Sequence, residues 1–354
     1  MPLIATLPED VDAAFLAAAL DLDAAPSDLR VSPVGTGQMG TCVRAAWTGS
    51  GGDARSVLVK LPAADPAARA LVAGAYATEV RFYTELAPTL AVRVPTCHLA
   101  ALGDDGAFTL VLEDLAPRVQ GDQIAGSTAA QARAAAVNLA GLHGPRWCDP
   151  SLEDVEGLGA ATAEDAAMLA ELYGPTTDLF LDAVGDLLTT EDAATLRACG
   201  AVIADWSLAR PERFAPVHGD YRLDNLLFAP PEQPDLDVVA VDWQTVSRGL
   251  PARDLAYLLG TGLEPTLRAR VERDIVEAYR IALGTHGVDL DTFTAEQAWD
   301  DYRLAMLQGP LVTVFGCAYG TRTERGDRMF AAMASRSAAA IRALGSLELV
   351  AHPA

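Results

Sequence analysis

Lysine is almost missing from this sequence. Of 26 basic residues only Lys60, in the stretch SVLVKLP, is a lysine, and all the rest are arginine. Either chance left one lysine in an arginine-rich chain, or position 60 needs a compact, flexible ammonium that a planar guanidinium cannot replace. Cysteine is sparse as well. Cys42, Cys97, Cys148, Cys199 and Cys317 are odd in number, scattered and without a CxxC pair, which excludes a disulfide framework and a zinc site and indicates reduced thiols in a cytoplasm. No apolar run is long enough to cross a bilayer. The opening MPLIATLPEDVDAAFLAAAL lacks a basic leader and carries acids through its apolar part, so it reads as an amphipathic helix and not as a signal peptide. Positive charge is in deficit: 48 acids against 26 bases give a formal net charge of −22. The acids are spread along the chain, a surface that opposes nucleic acid and anionic membranes as partners.

What is present suits a globular protein of two lobes, since 354 residues exceed what one core usually serves. Thr6 and Glu9, with Pro8 between them, predict a capping box opening a helix to about Leu20. RVSPVG, TCVRAAW and SVLVKL read as strands separated by glycine-containing turns. Asp65 and Pro66 then open a helix in which Tyr76, Val80 and Tyr83 share a face. VPTCHLAAL and AFTLVLEDL flank GDDG, a hairpin signal. Together these predict a five-stranded antiparallel sheet with one inserted helix over residues 1–115. Residues 116–354 read as mainly helical, with Ser127 capping TAAQARAAAVNLAGLH and one short strand pair, NLLF and DVVAVDW. The fold class expected is α+β, a small sheet lobe followed by a larger helical lobe.

The chemistry concentrates in VHGDYRLDNLLF, residues 217–228, and in VVAVDWQ. Asp220 and Asn225 are five positions apart, and Asp242 closes an apolar strand seventeen residues after Asn225. Two carboxylates and a carboxamide gathered around a strand pair suit magnesium-dependent phosphoryl transfer, one carboxylate taking the acceptor proton and oxygen ligands holding the metal. The pattern resembles the protein-kinase-like fold, whose catalytic loop reads H-R-D-x-x-x-x-N and whose metal motif reads D-F-G. HGDYRLDN, with glycine in place of arginine, is similar to the aminoglycoside phosphotransferase and choline kinase branch. LVLEDLAP, VDWQTVSRG and ARDLAYLL add a likeness to its ecdysteroid-kinase-like group and related bacterial phosphotransferases.

The resemblance covers nearly the whole chain and implies a role for each matching residue. Asp220 would be the catalytic base, and Asn225 and Asp242 the Mg2+ ligands. Lys60 would contact the α- and β-phosphates of ATP and pair with Glu79. Gly35, Gly37 and Gly40 would lie over the phosphates, and the backbones of Glu113 and Leu115 would face the adenine. On this reading Lys60 is not chance. Two departures matter: Asp242-Trp243-Gln244 lacks the glycine of D-F-G, and no activation loop or A-P-E follows, which argues against protein substrates.

His218 is expected to tie the catalytic loop and not to act as a base. Asp254 either caps its helix or braces that loop, in a structural role. Arg222 either approaches a phosphate or makes an ion pair, and the sequence does not separate these. The expected partner is a small-molecule hydroxyl acceptor. Residues 302–323, YRLAMLQGPLVTVFGCAYGTRT, contain no acid, which points away from polycationic aminoglycosides toward a partly apolar alcohol, steroid-like, sugar or amino alcohol. The rival readings are an aminoglycoside-type antibiotic kinase and a nucleotide-binding pseudokinase. ATP against GTP and the oligomeric state are open.

Overall fold

The computed structural model describes residues 2–35, 40–49, 51–103, 105–230 and 237–351. The chain forms two compact units. The first is built from the described residues of Met1–Thr89, Val94–Pro117 and Val241–Thr245, and the second from Leu90–Arg93, Arg118–Ala240 and Val246–Ala354.

The first unit is an antiparallel sheet with one helix on its amino-terminal side and one inserted. Helix α1 (Ala13–Ala19) precedes strands β1 (Ser27–Pro33), β2 (Gly40–Thr48) and β3 (Ala54–Pro62). Helix α2 (Pro66–Arg81) and the hairpin β4 (Cys97–Leu102) and β5 (Phe108–Glu113) follow. The strand order is β1-β2-β3-β5-β4, with every pairing antiparallel. Alternation along β3 decides what faces where. Val57, Val59 and Leu61 are buried with Val43, Ala45 and Trp47 of β2 and with Phe15, Leu16 and Ala19 of α1. Lys60, between two of these apolar residues, therefore points to the opposite face. The first helix departs from expectation. Asp10, not Glu9, closes the amino-terminal turn, its carboxylate accepting from the Thr6 and Leu7 amides at 2.8 and 2.9 Å. A 3₁₀ turn at Pro8–Asp10 is then followed by α1 with its own cap, Asp12. The start of α2 is as read: the Asp65 carboxylate accepts from the Ala68 amide at 2.8 Å, and Pro66 takes the first position, where a missing N–H costs nothing. A π-helical turn, Phe82–Leu86, continues α2.

The second unit is mainly helical. Its elements are β6 (Val119–Gln120), α3 (Ala129–His143), α4 (Ala163–Val184), α5 (Thr190–Cys199), α6 (Ile203–Ser207), β7 (Ala215–Val217), β8 (Leu226–Phe228), β9 (Val238–Ala240) and β10 (Ser247–Gly249). They continue with α7 (Ala252–Gly262), α8 (Pro265–Thr285), α9 (Ala295–Leu304), α10 (Gln308–Tyr319), α11 (Glu324–Leu344) and α12 (Ser346–Ala351). The cap of α3 is Thr128, one residue after the expected Ser127, in a capping box with Gln131. The expected strand pair is β8 with β9, Leu226 opposite Ala240, and β6 adds a third strand. Gly309 and Pro310 fall inside the first turn of α10, where a Cβ on residue 309 would come within 2.7 Å of the Ser337 Cβ of α11. The architecture is α+β, an antiparallel-sheet unit and a larger helical one, as the sequence indicates. Among the described residues no helix is long and apolar enough to cross a membrane, and the five cysteines are free thiols.

Candidate active site

In the first unit the structure brings Lys60, Glu79 and Asp242 together. The Lys60 Nζ donates to both Glu79 carboxylate oxygens at 2.6 and 2.7 Å and to Asp242 Oδ1 at 3.2 Å. Glu79 is fully enclosed, while about a fifth of the Lys60 side chain and two-fifths of that of Asp242 are exposed. Burial alone would favour loss of the Lys60 proton. The Glu79 and Asp242 carboxylates outweigh it and hold the ammonium above the usual lysine range. The buried carboxylate has further donors from the D-W-Q stretch, the Trp243 amide at 3.4 Å and Gln244 Nε2 at 3.3 Å. The Trp243 ring lies flat on Phe82 of the π turn, centroids 3.8 Å apart and planes 4° from parallel. The sequence reading did not foresee Trp243 and Gln244 as partners of Glu79, because nothing in spacing alone brings residues 164 and 165 positions apart into contact.

Asp242 has a backbone φ of +70°. A residue with a Cβ pays to adopt this left-handed conformation and keeps it only where the surroundings over-determine it. Here Lys60 holds its side chain, and the Trp243 stack and amide hold the next residue.

The expected phosphate-covering glycines divide. Gly35 has φ +69°, a conformation that demands glycine. At Gly40 a Cβ would lie 2.5 Å from the Leu61 carbonyl oxygen, so the close approach of β2 to β3 is what requires glycine there. Gly37 lies outside the described residues. At the end of β5 the Glu113 amide donates to the Thr96 carbonyl at 2.8 Å. Leu115 is buried. Between them Asp114, which sequence reasoning passed over, accepts from Arg44 Nε at 2.6 Å, Ser56 Oγ at 2.7 Å and the Ala116 amide at 3.2 Å, so it ties β2 and β3 to the segment after β5. Burial opposes ionisation of Asp114, but Arg44 and Ser56 prevail and keep its carboxyl below the usual range.

In the second unit the loop between β7 and β8 gathers around Asp220. Its Oδ1 accepts from the Tyr257 hydroxyl at 2.9 Å, and its Oδ2 from Asn225 Nδ2 at 2.9 Å and Arg222 Nε at 3.1 Å. Burial, reinforced by the Asp220 charge, pushes the Tyr257 hydroxyl well above its ordinary pKa, so it remains a donor. The loop hangs from Asp254 in the first turn of α7. One Asp254 oxygen accepts the His218 amide at 2.6 Å and the other the Gly219 amide at 2.9 Å, and His143 Nε2 lies 3.3 Å from the first. Gly219 has φ +80°, the turn that directs two successive amides at one carboxylate. Asp254 thus braces the loop that carries Asp220. His218 is fully buried, and its Nδ1 accepts the Asp220 amide at 3.2 Å, which is the structural role expected of it.

Arg222 makes ion pairs. Besides Asp220 it reaches Asp224 Oδ2 at 3.1 Å and Met329 Sδ at 3.1 Å. Burial works against its charge, but Asp220 and the other neighbours hold the guanidinium ionised. Asp224 is a hub that sequence reasoning missed: it also accepts the Gln123 amide at 2.9 Å and both terminal nitrogens of Arg325 at 3.3 and 3.4 Å.

A model of the phosphotransferase enzyme family matches residues 45–290, well over half of the sequence and inclusive of Lys60, Glu79, Asp220, Asn225 and Asp242. The chain belongs to this family. Solved structures agree in fold. A choline kinase of Cryptosporidium parvum superposes with a TM-score of 0.57 at 8% identity, over 91% of this chain and 90% of its own. An ethanolamine kinase of Plasmodium vivax gives 0.52 at 10% identity, over 90% and 83%. An aminoglycoside phosphotransferase with GDP and kanamycin bound gives 0.52 at 15% identity, over 86% and 91%. No curated protein sequence matches the chain.

Whether this phosphotransferase suits a magnesium ion can be judged from its oxygens. No group of three or more His, Cys, Asp or Glu side chains among the described residues is arranged to hold a metal. Asn225, however, spends its Nδ2 on Asp220, at the carbonyl and the carboxylate, both 2.9 Å. That orients its Oδ1 away from these bonds, and Oδ1 accepts no hydrogen bond among the described residues. A carboxamide oxygen of this kind is a hard donor, and in the first unit the partly exposed Asp242 carboxylate is another, so each residue by itself has the chemistry that suits magnesium.

Proposed function

We propose that the chain is an ATP- and magnesium-dependent small-molecule kinase that transfers the γ-phosphate to a hydroxyl group of an alcohol acceptor. The observation that carries this reading is the Asp220 carboxylate, fixed by Tyr257, Arg222 and Asn225 in the loop that matches the catalytic motif. Asp220 would take the acceptor's hydroxyl proton as the acceptor oxygen bonds to the γ-phosphorus and the bond to the β–γ bridging oxygen breaks, releasing ADP. Lys60, kept charged by Glu79, would meet the α- and β-phosphates. Asn225 and Asp242 would hold magnesium, which when bound neutralises phosphate charge. Gly35, Gly37 and Gly40 would cover the phosphates, and main-chain groups at Glu113 and Leu115 would take the adenine. Catalysis on this reading is positioning and electrostatics, with little covalent work for the protein.

A polycationic acceptor is disfavoured. The acid-free α10 adjoins the catalytic loop through Gln308 Nε2, which donates to the Gly219 carbonyl at 3.1 Å. The Asp224 and Asp254 carboxylates nearby are already engaged by arginines, amides and His143. The deciding experiment is ADP release from magnesium-ATP over a panel of alcohols, with Asp220→Asn as control. Acceptor-dependent turnover lost in Asp220→Asn supports the kinase. Nucleotide binding with no turnover on any acceptor would return the pseudokinase, and efficient kanamycin phosphorylation the antibiotic kinase.

A further inference from the structure

The first two turns of α11 place basic side chains beside the catalytic loop of a strongly acidic protein. Arg325 stands at neighbour spacing on the helix to both Arg328 and Met329, three and four residues on, and the Met329 sulfur lies 3.1 Å from an Arg222 nitrogen. Arg222 in turn donates to the Asp220 carboxylate. Arg328 is exposed and makes no hydrogen bond or ion pair among the described residues. Arg325 has 59% of its side chain exposed, and its partners are poor. Its contacts to Asp224, 3.3 and 3.4 Å, are longer than a well-made guanidinium–carboxylate pair at about 2.7–2.9 Å. Asp224 is meanwhile served by Arg222 and by the Gln123 amide, at 3.1 and 2.9 Å. Asp122 is no nearer than 3.9 Å and spends Oδ1 on the Ile124 and Ala125 amides. A planar fork of five donors held by two long contacts to an already satisfied carboxylate is ready to exchange that partner for a better one. Arg322, the third arginine of the segment, is not available in this way: it is tied to Asp327 and to the Ala183 carbonyl.

Acids and bases alternate outward from the base, Asp220, Arg222, Asp224, Arg325, so the series ends in an exposed cation with Arg328 beside it. The side chains alongside are apolar: Met329 and Met333 with Ile124, Val312 and Phe330 packed against them. Resting on the kinase reading above, we infer that the acceptor is a hydroxylated organic anion. Its hydroxyl lies at Asp220, a short apolar spacer passes Met329, and a carboxylate or comparable anionic group takes Arg325, with Arg328 adding charge.

The test uses three matched six-carbon alcohols, 6-hydroxyhexanoate, 1,6-hexanediol and 6-aminohexan-1-ol, as acceptors for the full-length protein with magnesium-ATP. The expected order of kcat/KM is carboxylate, then diol, then amine. Arg325→Gln should raise the KM for the carboxylate about tenfold or more, the usual loss for a hydrogen bond to a charged partner, and bring its advantage over the diol close to one. Arg325→Lys should restore part of that advantage, which a merely structural arginine would not do. A diol or amine preferred over the carboxylate, or a carboxylate preference that Arg325→Gln leaves intact, overturns the anionic acceptor while leaving the kinase reading standing. Absence of both nucleotide binding and turnover in the parent protein removes the kinase reading and this inference with it.

Discussion

The Tyr257 hydroxyl reaches Oδ1 of Asp220 at 2.9 Å from the buried side of α7. The same helix carries Asp254, whose two oxygens accept the successive His218 and Gly219 amides. One element thus sets both the path of the loop after β7 and the rotamer of the Asp220 carboxylate. With Oδ2 occupied by Arg222 and Asn225, Tyr257 is what turns Oδ1. Tyr257→Phe removes one hydroxyl and leaves the ring packing intact. A hydrogen bond to a charged group is worth about 1.5–3 kcal/mol, and two donors remain, so kcat should fall roughly tenfold with little change in melting temperature. A kcat equal to that of the parent would show that Arg222 and Asn225 orient the base unaided.

The support behind that loop makes stability depend on pH. His143 is fully buried, with Nδ1 2.6 Å from the Tyr279 hydroxyl and Nε2 3.3 Å from Asp254. Burial lowers its pKa, and Asp254 offsets this only in part. The neutral ring satisfies both partners, accepting from Tyr279 and donating to Asp254. As pH falls below about 6.5 the unfolded chain therefore binds a proton that the folded chain refuses. Stability should be full above that pH and decline on acidification, by up to about 1.4 kcal/mol per pH unit from this group. Urea midpoints at pH 7.5 and 5.5 measure it. His143→Gln should be less stable at the higher pH yet flatter across the interval, and an unchanged slope would assign the acid sensitivity elsewhere. Carboxylates held low, such as Asp114 and Asp192, lose their contribution only at more acidic pH.

Trp243 is a strut for Asp242. The left-handed backbone at residue 242 costs on the order of 1–3 kcal/mol, and the flat stack of Trp243 on Phe82 helps to hold it. Trp243→Leu should lower stability by about 3 kcal/mol through lost packing. It should also raise the magnesium concentration needed for half-maximal turnover, because Asp242 is free to relax. Trp243→Phe keeps a stacking ring and should recover most of the magnesium dependence. If Trp243→Leu loses stability yet keeps the parent's magnesium titration, the strut role fails.

Local chemistry explains what the sequence revealed and what it hid. Lys60 and Glu79 are legible through the resemblance to the kinase motifs, since an interval of nineteen residues alone singles out neither, and the structure does bring the two together. Asp220 and Asn225 could be placed because their bonds close within five residues. Asp224, Tyr257 and Trp243 could not: their partners lie 101, 37 and 164 positions away, and only the packed chain brings them close. The capping errors are of another kind. Thr6 pairs with Asp10 and not Glu9, and α3 starts from Thr128 and not Ser127, because neighbouring residues of similar capping chemistry differ only in which one the backbone turns toward the free amides.

The lone lysine gives the sharpest prediction. Its Nζ fills the space between two Glu79 oxygens at 2.6 and 2.7 Å and one Asp242 oxygen at 3.2 Å. A guanidinium in that place keeps the charge, but its broader plane cannot meet both carboxylates with the same backbone. Lys60→Arg should fold, bind nucleotide more weakly and lose turnover on the order of a hundredfold, the scale of an ångström's misplacement in a positioning contact. Lys60→Met tests the other half of the pair. It leaves the Glu79 carboxylate enclosed with, among the described residues, the Trp243 amide and Gln244 as donors, which should cost about 3–5 kcal/mol of stability. Adding Glu79→Gln removes the stranded charge and should return most of that stability, while on the proposed kinase reading turnover stays lost because the cation meant for the phosphates is still missing. Calorimetric melting of the single and double variants, with initial rates at saturating and limiting ATP, separates the two roles. If Lys60→Arg turns over as fast as the parent at both ATP levels, any cation serves at position 60, and the single lysine among 26 basic residues is an accident of composition.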